Sequence, residues 1–291
     1  MEPNRARGAA WLAAGRCAVV VRVAETRGSA PREAGTRMLV ALDETAGTIG
    51  GGHLELQAID EARAMLRSGE AAPRSHHYPL GPALGQCCGG AVTLRFEQLD
   101  AEALAAWPVA APRFFLQLYG AGHVGRAIAR ALAPLNVSVD WVDERDDEFP
   151  AQFFATGAAP WPDRIRKVCV DAVEAEVRCA PAGAHYLVLT HRHDLDMRIT
   201  EAILARADFA FLGLIGSKTK RQRFIHRFER HGFAPETIAR MTCPIGITGI
   251  EGKEPEVIAA GVVAQLLQAS SAQPAPTHCA VPQAALADQT S

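Results

Sequence analysis

Apolar residues fall along this chain in short runs separated by turn formers, and the spacing within each run separates strands from helices. Residues 17–24, C-A-V-V-V-R-V-A, make a run short enough for a buried strand. The segment 26–35, T-R-G-S-A-P-R-E-A-G, is a loop rich in turn formers, and Arg37–Leu42 reads as a second strand. G-T-I-G-G-G-H at 47–53 then opens a helix in which Leu54, Ala58, Ala62, Met65 and Leu66 share one face and which ends near Gly69. Residues 71–85, with Pro73, Pro79, Gly81 and Pro82, read as loop, and Ala91–Phe96 as strand. Residues 97–112, carrying Trp107, Pro108 and Pro112, read as a connection.

Beyond the connection the pattern changes to strands alternating with helices. Phe114–Tyr119 is an apolar strand, and Val124, Ala127, Ile128, Ala131 and Leu132 repeat at helical spacing up to Pro134. Val137–Val142 is a second strand that closes on Asp143. Residues 149–164 are irregular, Lys167–Val170 and His185–Leu189 read as strands, and a helix follows over 196–207. Phe209–Ile215 is another buried strand. It leads into a helix whose Phe224, Ile225 and Phe228 face inward, leaving Lys218, Lys220, Arg221, Arg223, Arg227 and Arg230 toward solvent. Pro255 suits a first helical turn, and Val257–Leu267 is the last helix. This alternation predicts an α/β chain with a Rossmann-like, doubly wound parallel sheet behind a smaller α+β domain. The boundaries expected are 1–106 for the first domain, 107–113 for a linker, 114–269 for the Rossmann-like domain and 270–291 for a disordered tail rich in Ala, Pro, Gln and Ser.

Composition narrows the classes. The chain has 291 residues, a formal net charge of -2 and few aromatics, so nothing in its charge balance points to nucleic acid. No apolar stretch approaches the roughly 18 residues that a membrane span requires, and the run after Arg5 and Arg7 is cut short by Gly15 and Arg16, too soon for a signal peptide. The seven cysteines are scattered and lack C-x-x-C spacing, which fits reduced thiols in a cytoplasmic protein.

Three groups of residues carry candidate chemistry. Gly120, Gly122 and Gly125 have G-x-G-x-x-G spacing between a strand and a helix. There the first glycine permits the turn, the second admits a phosphate to backbone N–H groups, and the third lets the helix pack closely. The anion would lie at the helix N-terminus beside His123. Asp143, at the end of the next strand, suits a ribose or other polyol hydroxyl, although the charge run Asp143–Asp147 also reads as a solvated loop. Gly50, Gly51 and Gly52 form a second glycine-lined helix start, next to His53, and read either as a ligand seat or as a tight turn. In G-Q-C-C-G-G at 85–90, Cys87 and Cys88 lie between Gln86 and Gly89, where exposed thiols with N–H donors nearby suit a soft metal or a sulfur-bearing ligand. His191 and His193, in T-H-R-H-D-L-D at 190–196, occupy a strand's C-terminal end, where open α/β sheets place ligands; a cap on the following helix is the plainer reading. A dinuclear zinc site fails there, because Leu195 and Asp196 stand where the second metal needs Asp and His. Ser217 and Lys218, nearest their loop, are the anion contacts of the basic helix.

Taken in order, these segments resemble the XdhC/CoxI family, the xanthine dehydrogenase accessory proteins. The resemblance covers residues 15–268 and rests on G-S-A-P-R-E-A-G-T-R-M at 28–38, G-T-I-G-G-G-H-L-E at 47–55, Q-C-C-G-G at 86–90, G-A-G-H-V-G at 120–125, D-E-R at 143–145, T-H-R-H-D-L-D at 190–196, I-G-S-K at 215–218 and C-P-I-G at 243–246 with E-P-E-V-I-A downstream. It implies a chaperone and not an enzyme: a protein that binds the molybdenum cofactor (Mo-molybdopterin), keeps it available for sulfuration by a cysteine desulfurase, and delivers it to apo-xanthine dehydrogenase. An upstream molybdenum-insertion protein would supply the cofactor, and association into a homodimer is expected of the family. The glycine-lined helix starts would hold phosphate or pterin, and Cys87 or Cys88 would approach the molybdenum, with Cys88 favoured because it directly precedes Gly89 and Gly90. Two other readings stay open. One is an NAD(P)-binding oxidoreductase using His191, His193 or Lys218 as proton donor; the other is a redox-sensing module that binds a nucleotide or dinucleotide.

Overall fold

The computed structural model describes residues 3–80, 90–153 and 161–271, and the chain divides into two compact units, Met1–Ala111 and Pro112–Ser291. Among the described residues, the first unit is built on an antiparallel five-stranded sheet ordered β3-β2-β1-β5-β4. The strands are β1 (Val19–Arg27), β2 (Arg37–Val40), β3 (Thr45–Gly47), β4 (Arg74–Pro79) and β5 (Ala91–Gln98). The V-V-V-R-V run of β1 is central and its valines are covered on both faces, which is why the run is apolar at every position but Arg22. Helix α2 (Gly52–Ser68) packs Leu54, Ala58, Ala62 and Met65 over Val19, Val21, Met38 and Leu94. On the opposite face, α1 (Pro3–Ala13) contributes Trp11 to a cluster with Val20, Leu39, Leu99 and Trp107.

Two sequence expectations shift here. The segment expected as loop over 71–85 contains β4, an edge strand that pairs only with β5 and ends on Pro79. With polar residues along it and prolines around it, R-S-H-H-Y-P shows no apolar alternation, yet an edge position tolerates both. The expected linker over 107–113 begins too early. Trp107 is buried at 2% exposure in the first unit, after a short helix α3 (Ala101–Ala105) capped by Asp100, and that unit runs on to Ala111.

The second unit holds a parallel six-stranded sheet ordered β11-β10-β9-β6-β7-β8, which is 3-2-1-4-5-6 when the strands are counted from β6 and the sheet is read from β8. Its strands are β6 (Phe115–Tyr119), β7 (Ser138–Asp143), β8 (Ile165–Cys169), β9 (His185–Val188), β10 (Phe211–Leu214) and β11 (Met241–Thr242). The helices are α4 (His123–Leu132), α5 (His193–Arg206), α6 (Lys218–Arg230), α7 (Pro235–Ala239) and α8 (Pro255–Ser271). One core joins Leu116, Leu118 and Trp141 to Ile128 and Leu132 of α4 and Val262 and Leu266 of α8. The other joins Val142, Val188 and Leu214 to Ile199 of α5 and Phe224 and Phe228 of α6. Helices therefore cover both faces, and the Rossmann-like doubly wound sheet is the observed fold. The strand order reverses between β6 and β9, and such folds hold ligands in the crevice at the carboxyl ends of those strands.

Candidate functional site

The turn after β6 lies at that crevice, and its three glycines serve different ends. Gly120 has φ +117, and a Cβ there would lie 2.4 Å from the Leu189 carbonyl oxygen; a Cβ on Gly125 would lie 2.0 Å from the Gly120 carbonyl oxygen. The protein itself thus excludes side chains at both. Gly122 differs: its φ of -67 suits any residue, and an added Cβ would meet nothing within 4 Å. Neither packing nor φ demands a glycine at this position. Gly122 is the N-cap of α4, with no side chain capping the helix and no acidic residue in its first turn, so the amides there have no carboxylate of their own. The buried indole of Trp141 donates to the Gly120 carbonyl at 3.0 Å and holds the turn from below. His123 is exposed at the start of α4.

Asp143 ends β7 beside this turn, buried at 4% exposure. Its Oδ2 accepts from the Ala121 amide at 2.6 Å and from Arg145 Nη2 at 2.9 Å, and its Oδ1 accepts from the Arg145 amide and Nε, both at 3.0 Å. Burial alone would raise the carboxyl pKa, but the bonds from Arg145 and from the Ala121 and Arg145 amides outweigh it, and the pKa is lowered. Glu144 reaches the other side of the crevice, with Oε1 3.6 Å from both His191 Nε2 and Arg192 Nη1.

The loops after β9 and β10 complete this edge. Ser217 caps α6 by accepting from the Lys220 amide at 3.2 Å, and Lys218 is exposed. Lys220, expected on the solvent side, is instead 8% exposed, and its ammonium donates to Asp196 at 2.5 Å and to the Ile215 carbonyl at 2.8 Å. The signal lay in its i, i+4 spacing to Phe224 and Phe228, which puts it on the inward stripe. The helix expected over 196–207 starts at His193, with Arg192 as its N-cap, and both His191 and His193 are exposed. Below Ser217 a cavity of about 440 Å³ opens between α5 and α6, lined by His193, Met197, Arg198, Arg223 and Phe224 among others.

In the first unit Gly50, Gly51 and Gly52 all have positive φ, at 130, 77 and 66. The amides of Ile49 and Gly51 donate to Glu55 Oε2 at 3.1 and 3.0 Å, and the Thr48 hydroxyl donates to the same oxygen. Where the sequence suggested a seat for an external anion, these two amides hold a carboxylate of the same helix, and the glycines supply the backbone conformation that brings it there. His53 is exposed at the second position of α2. Gln86, Cys87, Cys88 and Gly89 lie outside the described residues. Among the described residues no group of three or more His, Cys, Asp or Glu side chains could hold a metal ion, and no helix is long and apolar enough to cross a membrane. Cys17, Cys169, Cys179 and Cys243 are free thiols.

Gly120, Gly122, His123, Gly125, Asp143, His191, His193, Ser217 and Lys218 therefore follow the carboxyl ends of β6, β7, β9 and β10 along one edge of one sheet. The fold of this unit defines a Rossmann-type domain. The XdhC Rossmann domain family matches residues 116–266, and the XdhC and CoxI family matches residues 11–79. The chain belongs to the XdhC/CoxI family. It is 29% identical over 259 residues to the uncharacterized protein YqeB of Escherichia coli K12, covering 88% of this chain but only 44% of the length of that relative. A crystal structure from Bacillus halodurans, described as a xanthine dehydrogenase, superposes with a TM-score of 0.73 at 19% identity, over 94% of this chain and 98% of the other. At that identity the likeness is one of fold.

Proposed function

We propose that this protein is an accessory chaperone of xanthine dehydrogenase: it binds the molybdenum cofactor as cargo, presents it for sulfuration by a cysteine desulfurase and releases it into the apo-enzyme. Gly122 carries the reading. A glycine that neither backbone conformation nor packing demands, at an uncapped helix start on the switch-point crevice, fits a ligand with a terminal phosphate. Molybdopterin has such a phosphate. Membership of the XdhC/CoxI family supports the choice of this phosphate ester over others.

In this reading the α4 amides and His123 hold the phosphate, while His191, His193, Ser217 and Lys218 border the remainder of the ligand. Cys88, or its neighbour Cys87, supplies a thiolate to the molybdenum. Gly50, Gly51, Gly52 and His53 form the second glycine-lined helix start assigned to the cofactor, with Glu55 already on the Ile49 and Gly51 amides. The cofactor arrives from an upstream molybdenum-insertion protein in the cytoplasm, and the chaperone itself turns over no substrate.

The test is purification under oxygen-free conditions, with mass spectrometry of the extracted small molecule, followed by transfer to cofactor-free xanthine dehydrogenase. Molybdopterin should copurify and restore activity, and Cys88→Ala should reduce delivery. A purified, folded chain that neither retains nor transfers the cofactor overturns the proposal.

A further inference from the structure

The D-E-R segment at 143–145 does more than end a strand. In a β-α-β unit of this kind, the acid at the end of the second strand accepts from the ribose hydroxyls of a dinucleotide, and that recognition needs free lone pairs. A carboxylate has about four acceptor sites. All four at Asp143 are taken: the Ala121 amide and Arg145 Nη2 on one oxygen, the Arg145 amide and Nε on the other. Three of these donors come from Arg145. Its guanidinium is held in turn by Glu148, which accepts from Arg145 Nη1 at 3.1 Å and, through its other oxygen, from Arg126 Nη2 of α4 at 2.5 Å. Arg126 Nε also donates to the Glu148 carbonyl at 2.9 Å. The clasp is therefore braced from the same helix whose N-terminus faces the crevice, and it does not depend on one exposed side chain.

We infer that Arg145 is a specificity residue: by saturating Asp143 it closes the ribose position next to the Gly120–Gly125 turn, so the site takes a phosphate ester but discriminates against a dinucleotide that must offer Asp143 a ribose 2′-hydroxyl, as NADH does. This rests on reading that turn as a phosphate seat, and it names a class of ligand the seat refuses. The chemistry is one of acceptor capacity. A ribose hydroxyl approaching Asp143 must displace a guanidinium bond to a buried carboxylate, and a neutral hydroxyl is the weaker donor.

The experiment is titration of the full chain with NADH and with its 2′-deoxyadenosine analogue, followed by fluorescence transfer from tryptophan to the dihydronicotinamide. The wild-type protein should bind the two alike or bind neither. Arg145→Ala should tighten NADH by about tenfold or more, the worth of one hydrogen bond to a charged acceptor, without a matching gain for the deoxy analogue. Should the alanine variant fail to fold by circular dichroism, Arg145→Lys serves instead, since a single ammonium cannot reproduce the forked Nε and Nη2 contacts. A wild-type preference for NADH over the deoxy analogue overturns the inference, and so does a folded Arg145 variant that gains nothing. The cargo assignment is judged separately. A chain without molybdenum cofactor that still treats the two nucleotides alike refutes only the cargo, and a cofactor-loaded chain that prefers NADH refutes only the role of Arg145.

Discussion

The ammonium of Lys220 lies 2.5 Å from Oδ2 of Asp196, and both residues are buried, at 8% and 0% exposure. Asp196 also accepts at Oδ1 from the Thr190 amide at 2.9 Å and hydroxyl at 2.7 Å, while Lys220 donates to the Ile215 carbonyl at 2.8 Å. One buried pair thus ties the loop after β9, which carries His191 and His193, to the loop after β10, which carries Ser217 and Lys218.

Breaking that pair on one side should be costly. Asp196→Ala leaves a buried ammonium without its counter-charge, and a loss of about 3–5 kcal/mol is expected in urea unfolding. The double variant Asp196→Leu, Lys220→Met removes both charges and should recover the part of the loss that comes from the unpaired ammonium, though not the part that comes from the Thr190 donors. If the double variant loses as much stability as Asp196→Leu and Lys220→Met lose separately when added together, the two residues are not coupled.

The glycines of the turn after β6 should separate in the same way. Gly125→Ala forces a Cβ to within 2.0 Å of the Gly120 carbonyl oxygen, so it should lower stability by roughly 1–3 kcal/mol or more. Gly122→Ala meets nothing, and should cost less than about 1 kcal/mol as a poorer N-cap. Gly122→Leu should keep the fold yet weaken retention of a phosphate-bearing ligand by about tenfold or more. Thermal unfolding reads the first two, and ligand content after gel filtration reads the third. Unchanged retention in a folded Gly122→Leu chain would move the phosphate seat elsewhere.

Much of this edge was legible beforehand for a definite reason. The switch from an apolar run at Phe114–Tyr119 to helical spacing at Val124–Leu132, with glycines between, has few physical realisations, and a β-α-β unit with a right-handed crossover is the commonest of them. What escaped were relations between side chains. Arg145 lies in a charge run that looks solvated, and only the direction of the chain after β7 turns its fork onto Asp143. Glu55 likewise reads as an ordinary residue of the first turn, and nothing in G-G-G-H-L-E announces that it folds back onto the amides of Ile49 and Gly51. The strand β4 escaped because an edge position places little demand on apolar pattern.

Glu55 offers a test by substitution and rescue. Glu55→Ala strips the acceptor from two backbone amides and the Thr48 hydroxyl, and should destabilise the first unit by about 1–3 kcal/mol. If the positive-φ turn is built around a negative charge, millimolar sulfate or phosphate should restore part of the loss in the variant and leave the wild-type chain unaffected. A variant as stable as wild type would mean those amides find water equally well.

The last prediction concerns acid. His185, at the start of β9, is 1% exposed, lies 4.8 Å from the Phe114 ring centroid and 6.1 Å from that of Phe211, and neither ring nitrogen has a hydrogen-bond partner among the described residues. Burial therefore lowers its pKa from 6.5 to about 4, because the charged form would have to be held without solvent. Above pH 6.5 the folded and unfolded chains both carry a neutral imidazole and the residue adds no pH dependence. As the pH falls from 6.5 toward 4, the unfolded chain takes up a proton that the folded chain refuses, so stability drops, by about 2 kcal/mol at pH 5 and about 3 kcal/mol once pH 4 is passed. Urea midpoints measured at pH 7 and pH 5 should show this difference in the wild-type chain, and His185→Phe, which keeps an aromatic ring between Phe114 and Phe211, should remove its share. If both chains lose the same stability between those pH values, the proton is being taken up elsewhere.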